Sequence, residues 1–155
     1  MKSIQRGFTL VEIAIVVTVI AILASMIVVS FINVQKRARD DTRVAQIKAV
    51  NAALKRYYDD NGEYPSVCSG PNIDCALSNL SSALVPAYMP SIPASPPDSQ
   101  GRNYLYIRGT AADSYGIFIP IESSSPISAW GWPCKTGNNI DTNWWGGGYT
   151  PSCPF

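Results

Sequence analysis

Residues 7–34 read GFTLVEIAIVVTVIAILASMIVVSFINV, a run whose only ionisable side chain is Glu12. Thr9, Thr18, Ser25, Ser30 and Asn33 are its other polar side chains. From Phe8 to Asn61 there is no glycine and no proline, whereas all 12 prolines and ten of the 11 glycines lie from Gly62 onward, the remaining one being Gly7. A stretch this free of breakers predicts one long helix over 8–61, about 80 Å at about 1.5 Å per residue. The punctuated remainder, 62–155, predicts a short, turn-rich domain. Residues 8–34 alone rise about 40 Å, more than the roughly 30 Å of a hydrocarbon core, so this half is expected to be a transmembrane helix. As a buried core helix it would need covering on all sides, and the rest of the chain is too small to wrap it.

Three membrane readings compete for this segment. A secretory signal peptide would use Lys2 and Arg6 as its basic region and be cut near Ala24, but the pair of small residues such a site needs is absent, and the apolar run continues past Ser25. An ordinary anchor fits the length and leaves Glu12 unexplained, since a carboxylate at mid-membrane costs roughly 2.5–3.5 kcal/mol and must be repaid. The third reading accounts for the acid. Gly7-Phe8-Thr9-Leu10-Val11-Glu12 resembles the processing site of type IV pilins and pseudopilins. The resemblance implies that residues 1–7 are a leader removed after Gly7 by a prepilin peptidase, that the new amine of Phe8 is methylated, and that Glu12 pairs with the amine of a neighbouring subunit. A charge pair of that kind in a low-dielectric core would select one axial register. Lys36, Arg37, Arg39 and Arg43 outnumber the leader's Lys2 and Arg6 and by themselves favour the opposite orientation; the processing motif places the leader on the cytoplasmic side.

Residues 35–61 form the amphipathic half. Val44, Ile47, Asn51, Leu54 and Tyr58 recur at steps of three and four, widened by Val50 and Tyr57, while Arg39, Asp41, Lys48, Lys55 and Arg56 mark the opposite side. The stripe keeps no strict seven-residue repeat, which disfavours a coiled coil. Residues 32–56 carry seven basic and two acidic side chains and residues 57–155 three basic and eight acidic, so a basic collar of +5 stands against a head of −5. The collar is expected to meet acidic lipid headgroups or the acidic head of another subunit.

Whole-chain charge is only +1, which argues against nucleic-acid binding by bulk electrostatics. There is no histidine, so histidine-based triads and histidine-containing metal sites are excluded. No nucleophile–base arrangement, phosphate loop or cofactor signature is present, and neither an enzyme nor a bound cofactor is expected.

The segment Tyr57 to Pro65, YYDDNGEYP, ends the helix at Gly62 and resembles the helix-to-loop junction of major pseudopilins and many pilins. Major pseudopilins often bind calcium in a loop near the carboxy terminus. The corresponding region here, 136–148, offers Asp141 as its only carboxylate, a departure that argues against a bound metal and favours a pilus subunit over a secretion subunit.

Within 62–155, Leu77, Leu80 and Leu84 predict a short helix over 76–84 with Asp74 as its cap. Alternation predicts strands over 103–108 and 115–121 joined as a hairpin by the six residues between them, with Pro120 at a strand end, and a third strand is expected through 129–132. Four cysteines in an exported domain suggest two disulfides. Of three possible pairings, Cys68 with Cys75 and Cys134 with Cys153 is the simplest, and the absence of a Cys-x-x-Cys unit disfavours zinc. Trp144 and Trp145 stand beside Gly146-Gly147-Gly148 inside the last cysteine loop. Core packing is one reading of these rings and exposure as a binding surface the other, with the glycines favouring exposure.

The expected fold is α+β and type IV pilin-like, a long amino-terminal helix packed on a small antiparallel sheet. The expected function is a structural subunit of a type IV pilus or related filament. Its partners would be copies of itself in a helical filament, the peptidase and methyltransferase, an inner-membrane assembly platform and minor pilins, and its head would be extracytoplasmic. The alternatives are a type II secretion pseudopilin and a minor tip subunit for adhesion or DNA uptake, the latter suggested by the tryptophan loop.

Overall fold

The computed structural model describes residues 9–98, 100–123, 133–145, 151–153 and 155, with side chains from 26 to 30 left out. Two compact units divide the chain, Met1–Gln35 and Lys36–Phe155. Helix α1 (Leu10–Asn61) is continuous in secondary structure, as the breaker-free run requires. It stops where Gly62 takes φ +75° and donates its N–H to the Tyr58 carbonyl at 2.8 Å, a left-handed position that glycine adopts without a Cβ clash.

The expected transmembrane helix is corrected here. Among the described residues no helix is long and apolar enough to cross a membrane.

In the unit Lys36–Phe155, strands β1 (Asp74–Ala76), β2 (Leu105–Arg108), β3 (Tyr115–Ile119) and β4 (Cys134–Asn138) form one antiparallel sheet in sequence order. The hairpin between β2 and β3 pairs Arg108 with Tyr115 across the six-residue loop read from the sequence. Ile47, Val50, Ala53 and Leu54 of α1 pack with Tyr104, Tyr106, Ile117 and Ile119 to form the core. Because side chains alternate along a strand, these sheet residues share one face. Polar groups in this layer are satisfied across it. The phenol of Tyr104 donates to Gln46 Oε1 at 2.6 Å, that of Tyr115 to Asn51 Oδ1 at 3.1 Å, and that of Tyr106 to the Pro65 carbonyl at 2.9 Å.

Two local readings are revised, the helix over 76–84 and its cap at Asp74. Leu77, Leu80 and Leu84 are buried as expected, but they sit on a 3-10 turn (Leu77–Leu80) followed by the short α2 (Ser81–Leu84). Asp74 caps neither; it lies in β1, opposite Ile107. The third strand expected at 129–132 falls outside the described residues, and the strand paired to β3 is β4.

Of the tryptophan pair, Trp144 departs from the exposed reading. Trp144 is only 6% exposed. Its ring lies over the sheet face opposite the helix, where a Cβ on Gly116 would come within 2.9 Å of Trp144 Cε3. The strand glycine leaves the hollow that the indole fills, and the indole N–H donates to Asn72 Oδ1 at 3.0 Å. Trp145 is half-buried against Phe118, ring centroids 5.8 Å apart, and its N–H reaches Asp74 Oδ2 at 3.3 Å. Gly146, Gly147 and Gly148 lie outside the described residues. Trp144→Ala is therefore expected to cost about 3–5 kcal/mol, as for other buried large aromatics, when chemical denaturation of the variant is compared with the parent chain.

Candidate functional site

In the unit Met1–Gln35, helix α1 opens with a reciprocal pair. Thr9 N–H and Oγ–H both donate to Glu12 Oε2, at 2.8 and 2.7 Å, and Glu12 N–H donates to Thr9 Oγ1 at 3.2 Å. This is a capping box, in which a hydroxyl and an acid three residues apart satisfy helix donors that have no intrahelical partner. The signal for it in the sequence is the Thr-x-x-Glu spacing of Thr9 and Glu12. Gly7 and Phe8 lie outside the described residues.

Beyond the cap the helix surface is apolar and uncovered. Leu10, Ile13, Val17, Ile20 and Leu23 are all at least half exposed, as are Val11, Ile15, Val16 and Ile22 on other sides of the turn. Its hydroxyls turn inward upon their own backbone: Thr18 donates to the Ala14 carbonyl and Ser25 to that of Ile22, each at 2.7 Å. The result is a sleeve with almost no polar feature after Glu12. So large an apolar surface is stable only when something else covers it.

In the unit Lys36–Phe155 two side chains of the basic collar, Arg39 and Arg43, are taken up within the chain, while Lys48, Lys55 and Arg56 are exposed. Arg43 and Asp40 are fully buried and joined at 2.6 Å. Arg43 Nη2 also meets Glu122 Oε1 at 2.8 Å and the Pro96 carbonyl at 2.9 Å. Arg39 grips Glu122 with both Nε and Nη2, at 2.9 and 2.8 Å. Asp40 in turn accepts the main-chain N–H groups of Glu122 and Ser123, the latter at 2.7 Å. Arg39 and Arg43 therefore do not form a free basic surface; Arg37 remains exposed and Lys36 half-buried. The sequence signal for this cluster was Asp40 three residues before Arg43, a helix-surface spacing. Glu122 carried no such local cue.

The disulfides join Cys68 to Cys75 and Cys134 to Cys153, with Cα atoms 5.5 and 5.1 Å apart. The first ties the loop after α1 to β1, and the second closes the loop that carries Trp144 and Trp145 onto the start of β4. Among the described residues no group of three or more histidine, cysteine, aspartate or glutamate side chains is placed to hold a metal ion.

A capped apolar helix followed by a helix-on-sheet unit is the arrangement against which known proteins can be compared. Residues 2–28 match the prokaryotic N-terminal methylation motif, and residues 30–120 match type II secretion system protein G. The chain belongs to the type II secretion system protein G family. The family match runs from α1 through the helix junction to β3, so it rests on residues outside the carboxy-terminal loop whose lack of carboxylates favoured a pilus. The match supports the secretion pseudopilin over the pilus subunit. Among relatives of this protein G family member, the type II secretion system core protein G of Escherichia coli K12 is 29% identical over 147 residues, spanning 90% of this chain and 91% of its own. That of Klebsiella pneumoniae is 33% identical over 115 residues, spanning 72% and 70%. Fimbrial protein EcpC of Eikenella corrodens is similar at 22% over 138 residues, spanning 88% and 86%. No solved structure matches the chain significantly.

The ion cluster has a testable pH signature. The Arg39 guanidinium, reinforced by Arg43, holds the Glu122 carboxyl below the ordinary glutamate range although burial opposes this. A depressed folded-state pKa stabilises fully above the unfolded value of about 4.3, and that stability is lost as pH falls through the lower folded value. Stability of the parent chain should therefore fall as pH drops below about 4.3. Glu122→Gln should remove this contribution to the slope while costing about 3 kcal/mol at pH 7, because Arg43 keeps a buried charge with one partner fewer. Denaturant titrations across pH on both proteins check both effects.

Proposed function

We propose that this protein is a pseudopilin of type II secretion, a structural subunit that joins copies of itself in a helical filament through its amino-terminal helix. Prepilin peptidase removes residues 1–7 after Gly7, and the Phe8 amine is then methylated. The subunit is held at the inner membrane with its disulfide-stapled domain in the periplasm, where an assembly platform and other pseudopilins add it to the filament. The observation that carries this reading is the sleeve of exposed apolar side chains that follows the Glu12 cap, in a chain of the protein G family. Burying such surface yields roughly 25 cal/mol per Å², and neighbouring helices of the same kind supply a partner surface of matching character. Burial of Trp144 withdraws the cue for a tip adhesin.

Glu12 has two separable roles in this proposal. It completes the capping box within its own chain, and its charge pairs with the methylated amine of a neighbour. Glutamine preserves the first role and abolishes the second. Glu12→Gln should leave monomer folding unchanged yet reduce filament yield at least about tenfold, a penalty of about 1.4 kcal/mol per register-setting contact. Glu12→Ala should do the same and also fray the start of α1. Normal filament yield from Glu12→Gln would show that the acid is only a cap. Mass spectrometry of assembled subunits should find N-methyl-Phe8 as the first residue; an intact Met1 there would contradict the processing step.

A further inference from the structure

Major pseudopilins, which this chain resembles, often bind calcium in the carboxy-terminal loop, and the donors of this chain do not fit one. Calcium takes six to eight oxygens, several of them from carboxylates. Residues 136–148 contain one carboxylate, Asp141, and its Oδ1 already accepts the Asn143 main-chain N–H at 2.8 Å. The carbonyl oxygens of Asp141, Thr142 and Trp144 do converge on one point, as a cation site would require. That point is Lys135 Nζ, at 3.4, 3.2 and 3.4 Å respectively. A divalent ion brought to the same carbonyls would meet an ammonium at contact distance and be repelled.

We propose that the ammonium of Lys135 is the resident cation of this loop, organising it from within the chain and making its folding independent of calcium. The match of groups is complete: an ammonium has three N–H donors, and three carbonyls face it. Lys135 is only 6% exposed, so the charge is withdrawn from water and held by carbonyl dipoles. Its backbone is equally constrained. In β4 it lies opposite Phe118 of β3; its N–H donates to the Pro151 carbonyl at 2.9 Å, and its carbonyl accepts the Cys153 N–H at 2.8 Å. The lysine stem therefore starts from a fixed strand position, beside the Cys134–Cys153 bridge, and the turn over 141–144 closes around its tip. Trp144 supplies one of the three carbonyls, so the same turn that encloses the ammonium also delivers the indole to Gly116. An ion covalently tethered to its own strand cannot be removed by a chelator or by dilution.

The test uses the full chain in detergent, denatured with urea in a chelator and in excess calcium chloride. The unfolding equilibrium should agree within about twofold between the two conditions, whereas a site filled at 100 times its Kd would shift it about 100-fold. Lys135→Met keeps the length of the stem and removes the charge; it should raise the unfolded fraction about tenfold or more and speed proteolysis between Cys134 and Cys153. Asp141→Asn keeps the main-chain carbonyl and a side-chain acceptor for Asn143, and should leave stability unchanged, where a calcium ligand could not be so replaced. Calcium-dependent stabilisation of the parent chain, a marked loss in Asp141→Asn, or a Lys135→Met protein as stable as the parent would each overturn the proposal. If Lys135→Met does not fold, the calcium titration and Asp141→Asn decide by themselves. The result is independent of filament assembly, so it stands or falls apart from the proposed function.

Discussion

Burying Arg43 with Asp40 and Glu122 is the constraint on which the unit Lys36–Phe155 depends. Charges taken out of water cost several kcal/mol each unless every one is matched by partners in good geometry. Here the match requires α1 to supply Arg39, Asp40 and Arg43, the chain after β3 to supply Glu122 and Ser123, and the proline-rich segment to supply the Pro96 carbonyl. A shift of the helix by one residue would rotate Arg43 by about 100° and strand the charges. Apolar contact alone would tolerate several registers of a helix on a sheet. The ion cluster tolerates one.

The same sheet is covered differently on its two faces. Toward α1 it presents Tyr106 and Ile117, whose large side chains fill the space against Ile47, Val50 and Leu54. On the other face β3 carries Gly116, and the hollow is filled by Trp144 from a loop distant in sequence. Two short-range staples make this possible in a small domain, since the disulfides limit how far the unfolded chain can wander. The hydroxyls of Tyr104, Tyr106 and Tyr115 are each met by a helix or loop acceptor, so these three buried rings carry no uncompensated polar end.

By contrast, the described part of Met1–Gln35 is held together only by its own backbone, its cap and its inward-turned hydroxyls. Such a helix has little reason to persist alone in water, where apolar side chains gain nothing from one another along an isolated cylinder. A chain with an ion-locked domain and a helix whose apolar surface needs covering fits a subunit that completes itself by assembly.

Much of this was legible in the sequence, and for local reasons. The helix from Leu10 to Asn61, its stop at Gly62, the burial of Leu77, Leu80 and Leu84, and the hairpin of Tyr106 against Ile117 depend on backbone freedom and on periods of 3.6 and 2, which neighbouring residues determine. The family resemblance was likewise written in the contiguous run from Gly7 to Glu12. What the sequence left open required partners far apart in the chain. Arg43 looked like a surface cation because Glu122 is distant in sequence, and Trp144 looked free because its three neighbouring glycines were visible while Gly116, which receives it, was not adjacent. Lys135 carried no local cue, because what buries its ammonium is the turn at 141–144 that closes over it. Local sequence determined which elements form; only tertiary contact decided which charges and rings would be buried, because burial is a property of the neighbours that arrive and not of the residue that waits for them.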